Sequence, residues 1–256
     1  MTYAVHKTTP WTIQKGLKGW PVFALQRALN EADPKGVQLV EDFDFGPVTE
    51  SGVKRFQSSA VLTQDGKAGP KTQEAIIQIN IAVVDELKQV PAGMLRSICL
   101  GESGNYIAAV AWGSPGGVDV GAVQRRVYES QFNNQEVIKA AFDTGYQLGF
   151  VADTLAYLFG VFRARPKVSS DSLAWRLAVL NHNYPVLADR VSRYGIAGLS
   201  SYFTSPQSWV TNINAKFPDG TPIRTPLQWG QKYSLGNSAH GEPGTMVRFV
   251  KTWSAV

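Results

Sequence analysis

The 256 residues are 44% hydrophobic, 18% charged and 11% aromatic, which describes a globular chain with core enough for a small domain and a larger one. No stretch is long and apolar enough to span a bilayer, so membrane insertion is excluded from the expectation. The net charge of +5 favours an anionic polymer as partner, but residues 1–80 hold 9 Lys/Arg against 8 Asp/Glu and residues 81–256 hold 16 against 12, with no dense basic block, so nucleic-acid binding is not indicated.

The start, "MTYAVHKTTPWTIQKG", lacks the basic end followed by an apolar run that a secretory signal needs. Work outside the cytoplasm would then require another way out. A single cysteine, Cys99, excludes an internal disulfide framework and fits synthesis in a reducing compartment. From Trp20 to about Asn30, Val22, Leu25 and Leu29 fall on one helical face. "EDFDFGPVTESGVKRFQ" reads as an Asp/Gly loop entering a second helix with Val53 and Phe56 inward. "LTQDGKAGPKTQEAIIQI" repeats the device: a turn at Asp65 and Gly66, Gly69 and Pro70 at a helix start, then a stripe of Ala75, Ile76 and Ile79. A further helical run over about Ile81 to Lys88 is the expected connection. The segments "FGPVTE" and "AGPKTQE" look like an internal duplication.

These residues resemble the three-helix peptidoglycan-binding domain of bacterial and phage wall hydrolases. The likeness covers roughly residues 14–80: a Leu-Gln helix, a Phe-Gly-Pro-x-Thr turn, Phe-Gln, and Asp-Gly-x-x-Gly-Pro-x-Thr. It implies wall binding through Asp44, Phe45, Thr49, Gln57 and Asp65, although Phe45 and Phe56 read more readily as packing residues. The family has Gly after the first turn aspartate, whereas here Asp42 or Asp44 with Phe43 occupies that loop.

In the run from Pro91, a helix places Pro91, Leu95, Ile98 and Glu102 on one face, so Glu102 continues the apolar side just before "SGN". Desolvation and the negative end of its own helix both disfavour the carboxylate there, as a general acid needs. The glycine-rich "VAWGSPGGVDVGAVQ" comes next and reads as loop. Tyr146 to Phe162 carries Leu148, Val151, Leu155, Leu158 and Phe162 at helical spacing. "SLAWRLAVLNHNYPVLADRV" is helical with an interruption between Asn181 and Pro185. Residues 195–244 read as loops, and a closing helix from Thr245 places Met246, Phe249, Val250 and Trp253 inward.

The second part resembles the lysozyme-like fold of lytic transglycosylases and goose-type lysozymes, through Glu102-Ser103, "GAVQ" at Gly121 to Gln124, the Tyr146 to Phe162 helix, "VLNHN" at Val179 to Asn183 and "TMVRFV" from Thr245. Leu180 stands where that family has Tyr, and Asn183 where it has Gly. The expectation is therefore a mainly α chain: a peptidoglycan-binding domain over 1–80, a connecting helix or linker over 81–90, and a lysozyme-like catalytic domain over 91–256.

The resemblance makes Glu102 the catalytic acid of a peptidoglycan glycosidase. Ser103, Asp119, Gly121, Gln124, Tyr146, Asn181 and Tyr184 would line the substrate, with Gln124 and Asn181 meeting N-acetyl groups. Tyr146, Tyr184 or Trp112 would stack on sugar rings, and Arg125 and Arg126 would meet carboxylates. Between Glu102 and Gln124 only Asp119 is acidic. That scarcity favours a lytic transglycosylase, which leaves 1,6-anhydromuramoyl ends, over a hydrolysing muramidase that recruits Asp119.

Other classes have weaker support. His6, His182 and His240 are scattered without zinc-ligand spacing, so no metal or other cofactor is expected. A cysteine peptidase would have only Cys99 with His182, and Cys99 reads better as core. A non-catalytic wall-binding protein would leave Glu102 unexplained. The whole resembles a phage endolysin: a monomer made in the host cytoplasm without a signal peptide and acting on the wall after release through a separate membrane lesion.

Overall fold

The computed structural model describes residues 12–91, 93–112, 116–183 and 185–194. In chain order these form α1 (Trp20–Ala32), α2 (Pro47–Ser59), α3 (Pro70–Lys88), α4 (Met94–Ser103), β1 (Val110–Trp112), β2 (Gly117–Val120), β3 (Arg125–Tyr128), α5 (Gln135–Phe142), α6 (Thr144–Arg163), α7 (Asp171–Asn183) and α8 (Pro185–Tyr194). The fold is mainly α, as expected. Two compact units divide it, Met1–Ala152 and Asp153–Val256. Among the described residues no helix is long and apolar enough to cross a membrane.

The first three helices start by one rule. Each comes after a glycine, Gly19, Gly46 or Gly69, and has Pro in its first turn, where the missing N–H would have had no helical partner. Two glutamine-centred clusters hold them. Gln26 Nε2 donates to Asp42 Oδ1 at 2.7 Å and Thr49 Oγ1 at 3.0 Å, while Phe43 N donates to Gln26 Oε1 at 3.3 Å. One repeat later Gln57 Nε2 donates to Asp65 Oδ1 at 2.8 Å and Thr72 Oγ1 at 3.2 Å, while Gly66 N donates to Gln57 Oε1 at 2.9 Å. The duplication seen in the sequence is thus a duplication of hydrogen-bond geometry. It shows that Asp42, not Asp44, is the turn aspartate equivalent to Asp65. Phe43 takes the place of Gly66, with φ of 65° against 73°. A left-handed Phe costs roughly 1–2 kcal/mol. Its ring packs edge-on to Trp20 at 4.9 Å and stacks on Phe23 at 5.0 Å, contacts that a glycine there could not make.

The stripe of α3 runs through Ile76, as expected, with Ile77, Ile81 and Val84, while the expected Ala75 and Ile79 are only half-buried. The segment 81–90, expected as a separate connecting helix or linker, is mostly the C-terminal half of α3, and the division between compact units falls at Ala152. The reason is visible in the first unit, where the three-helix module shares a core with α5 and the start of α6. Trp20 stacks on Phe142 of α5 with centroids 5.6 Å apart and planes 8° from parallel, both rings buried. Arg27 Nε donates to Asp143 Oδ2 at 3.1 Å, and Gly145 N donates to Glu31 Oε2 at 2.9 Å, so a carboxyl group of α1 caps the N-terminus of α6.

Burial and then the neighbouring Asp143 push the Glu31 carboxyl up from 4.5 to about 8, against the opposing pull of Gly145 N–H and Arg27. The folded chain therefore holds a proton that the unfolded chain loses. The stability from this group is complete below pH 4.5 and lost as pH rises through about 8. Glu31→Gln, which keeps shape without a titrating proton, should melt at a temperature less dependent on pH between about 5 and 8 than the unmodified chain, and higher than it at the alkaline end. Parallel melting curves for the two proteins would contradict this.

Three short antiparallel strands come after α4, in the order β1-β2-β3, pairing Ala111 with Asp119 and Asp119 with Arg126. Val118, Val120 and Val127 are buried. This sheet replaces the glycine-rich loop read from the sequence. α5 is likewise new, with Asn134 accepting from the N–H groups of Glu136 and Val137 as its cap. In the second unit, Phe159 stacks on Trp175 at 4.4 Å and Asp189 pairs with Arg193 at 2.9 Å. α8 opens on Pro185, as the interruption after Asn181 predicts. The loops expected over 195–244 and the helix expected from Thr245 lie outside the described residues.

Candidate active site

α4 starts at Met94 after Gly93, so Pro91 stands ahead of the helix, not on its face. Leu95, Ile98 and Cys99 are fully buried. Glu102 lies in the last turn, half-buried, with its Oε1 atom buried. Gly104 and Asn105 then adopt left-handed φ of 65° each, and their N–H groups turn back to Cys99 O, ending the helix directly after Ser103. Ser103 Oγ donates to the same carbonyl at 3.0 Å. The acid is thereby fixed at the carbonyl end of a helix whose inner face is closed to water. Ser103 serves the helix end.

Burial first, and then the Glu102 and Asp85 carboxylates, push the Cys99 thiol up to about 12. It stays a neutral thiol near neutral pH, which removes the thiolate a cysteine peptidase requires. Asp85, on α3, is a carboxylate that sequence reasoning missed: its Oδ1 is buried and burial raises its pKa from 3.8 to about 6. It stands ahead of Glu102 in the chain, in the last turns of a helix that reads as a connection, and no local pattern sets it apart from a solvated acid.

Asp119 stands on β2 opposite Arg126 on β3 and is held by both ends of the guanidinium, Nε to Oδ1 at 2.5 Å and Nη2 to Oδ2 at 2.9 Å. Gly121, with φ of 81°, opens the β2–β3 connection. Gln124 closes it, donating from Nε2 to Gly121 O at 3.0 Å and Ala109 O at 3.3 Å, so its amide nitrogen is engaged with backbone. Gln147 of α6, buried and also missed from the sequence, spans the turn. Its Nε2 donates to Val120 O at 3.2 Å and to Ala141 O, and its Oε1 accepts from Val123 N at 3.2 Å. Tyr146, one residue earlier, is 49% exposed.

Residues 18–76 match the family described as "Putative peptidoglycan binding domain". The chain carries an N-terminal peptidoglycan-binding domain. A zinc D-Ala-D-Ala carboxypeptidase of Streptomyces albus G is 41% identical over 68 residues, 27% of this chain and 27% of that protein, so this chain spans about a quarter of the curated relative's length. A crystal structure of Burkholderia AP3 phage endolysin aligns over 96% of this chain and 98% of that one at 17% identity with a TM-score of 0.25, a value that does not establish a common fold.

Within the peptidoglycan-binding domain, Phe45, Thr49 and Gln57 are buried and hold the fold together. Asp65 is exposed, and its carboxyl is held below the usual range by Lys67 N–H and then Gln57. Asp44 pairs with Lys18 at 2.5 Å. Residues facing wall polymer in this domain therefore lie elsewhere than Phe45, Thr49 and Gln57. Asn181 is half-buried on α7 in the second unit, and Tyr184 lies outside the described residues. The side chain of Trp112 is not described either. Among the described residues no group of three or more His, Cys, Asp or Glu is placed to hold a metal ion.

Proposed function

We propose that the chain is a peptidoglycan glycosidase that cleaves between N-acetylmuramic acid and N-acetylglucosamine with Glu102 as its acid and base, as a lytic transglycosylase. The observation that carries this is a glutamate with a buried oxygen, fixed at the carbonyl end of an apolar-faced helix, behind a peptidoglycan-binding domain. The protonated Glu102 gives its proton to the glycosidic oxygen as the C1–O bond breaks. The carboxylate so formed takes the proton from the muramoyl 6-hydroxyl, whose oxygen closes on C1. The acid is regenerated, no water enters, and the product ends in a 1,6-anhydro ring.

An intramolecular hydroxyl reaches an effective concentration on the order of 10⁵ M or more when well oriented, so one acid/base suffices. A hydrolysing muramidase would need a second carboxylate to activate water. Asp119, the candidate within reach in sequence, has both oxygens bound by Arg126, which supports the transglycosylase. Gly121, Gln124 and Tyr146 line the substrate in this reading, and the protein acts on the cell wall as an endolysin does.

Mass spectrometry of digested, purified peptidoglycan before and after borohydride tests the reaction. Anhydro ends are lighter by one water and resist reduction, and they should predominate, with Asp119→Asn and Asp85→Asn both active. Predominantly reducible muramic ends, together with inactivity of either variant, would show hydrolysis instead.

A further inference from the structure

We propose that Arg125, with Tyr146 and Phe150, forms a subsite for a carboxylate of the wall substrate. The subsite rests on the glycan-cleaving reading and adds the group that fixes the strand. Arg125 opens β3 directly after the Gly121–Gln124 turn. Its guanidinium carbon stands 5.1 Å from the Tyr146 ring centroid and 5.7 Å from that of Phe150, which lie one turn apart on α6. The two rings are 49% and 58% exposed, and Arg125 beside them is half-buried, so the rings form an open apolar surface at the edge of which the cation sits.

Arg125 differs from the cations around it. Arg126 is spent on Asp119, Arg27 on Glu31, Glu41 and Asp143, and Lys139 on Glu136. Arg125 meets no carboxylate among the described residues, and its Nη1 atom is buried without a hydrogen bond there. Such a group is expensive to keep unless something satisfies it. A guanidinium seated against two rings and away from any protein carboxylate is placed to take a substrate carboxylate on its remaining N–H groups, and the exposed rings offer apolar surface to a sugar beside it. In peptidoglycan that carboxylate has two sources, the lactyl group of a peptide-free muramic residue and the stem peptide.

Glu102→Gln in the full chain gives a protein that binds without turnover. Its affinity is measured by calorimetry for three probes: peptide-bearing glycan oligomers, the same oligomers stripped to free lactyl carboxylates, and chitooligosaccharides, which carry neither. Adding Arg125→Met, whose stem keeps the packing on the two rings, should weaken at least one carboxylate-bearing probe by about tenfold or more and leave the chitooligosaccharide unchanged. A loss on stripped oligomers assigns the lactyl group; a loss confined to peptide-bearing ones assigns the stem peptide. Arg125→Lys should fall between, with melting temperatures matched across the set. Equal affinities in parent and Arg125→Met for every probe, equal loss on all three, or no binding of any probe by the parent would overturn the subsite. Failure of the glycosidase reading registers separately, as lysis retained by the Glu102→Gln chain.

Discussion

Gly121→Ala is expected to lower the melting temperature of the chain by about 10 °C. At φ of 81° a side chain is already strained, by roughly 1–2 kcal/mol. Space is the larger obstacle. A Cβ there would collide with Gln147 Nε2 and stand 2.6 Å from Gln147 Oε1 and 2.7 Å from Ala141 O. The carbonyl is backbone and cannot step aside. Gln147 could swing away only by abandoning Val120 O, Ala141 O and Val123 N in a buried site, and each buried group left unsatisfied costs about 1–3 kcal/mol. Strain together with even one of these groups left unsatisfied comes to about 2–5 kcal/mol, which reaches the upper range for single substitutions. A thermal melt close to that of the unmodified chain would show that the turn is not pinned to α6 in this way.

The peptidoglycan-binding domain is legible in the sequence because its turns are written in residues with few other uses. Gly-Pro at helix starts and Asp-Gly before them fix backbone conformation locally, so the pattern and the fold coincide. The apolar face of α4 is legible for a similar reason, since Leu95, Ile98 and Glu102 keep one period, although the start at Gly93 leaves Pro91 outside it. The sheet is not. Its strands are three or four residues long, β1 and β2 are separated by glycines, and β3 begins with two arginines, so no alternation accumulates.

The contacts that join distant parts leave no local trace at all. The Trp20–Phe142 stack, the Glu31 cap on Gly145 and the Gln147 brace each depend on a partner far away in sequence. Gln147 reads as one polar position in an apolar helix, and Asp85 as one acid near a helix end. Phe43 goes the other way: its departure from glycine is visible, but the aromatic cluster that holds it is not. At the candidate site Glu102 is legible from periodicity, whereas the isolation of Arg125 beside a fully committed Arg126 requires coordinates.

Catalysis in the proposed reaction turns on Glu102. Glutamine in its place keeps the length, the planarity and a carbonyl oxygen, and the helix end at Gly104 and Asn105 does not depend on the carboxyl group. What is lost is the transferable proton, and positioned proton transfer contributes about 10²–10⁴-fold on its own. Because the same group acts twice in the proposed cycle, as acid and then as base, the loss should sit at the upper end of that range or beyond it. Binding of the wall should survive, since the N-terminal domain is untouched. The direct measurement is the initial rate at which purified peptidoglycan is solubilised by Glu102→Gln and by the unmodified chain, at equal concentration and with matched melting curves. A loss of three orders of magnitude or more is roughly the predicted result for removal of an acid that also serves as base. A rate near that of the unmodified chain would contradict the assignment.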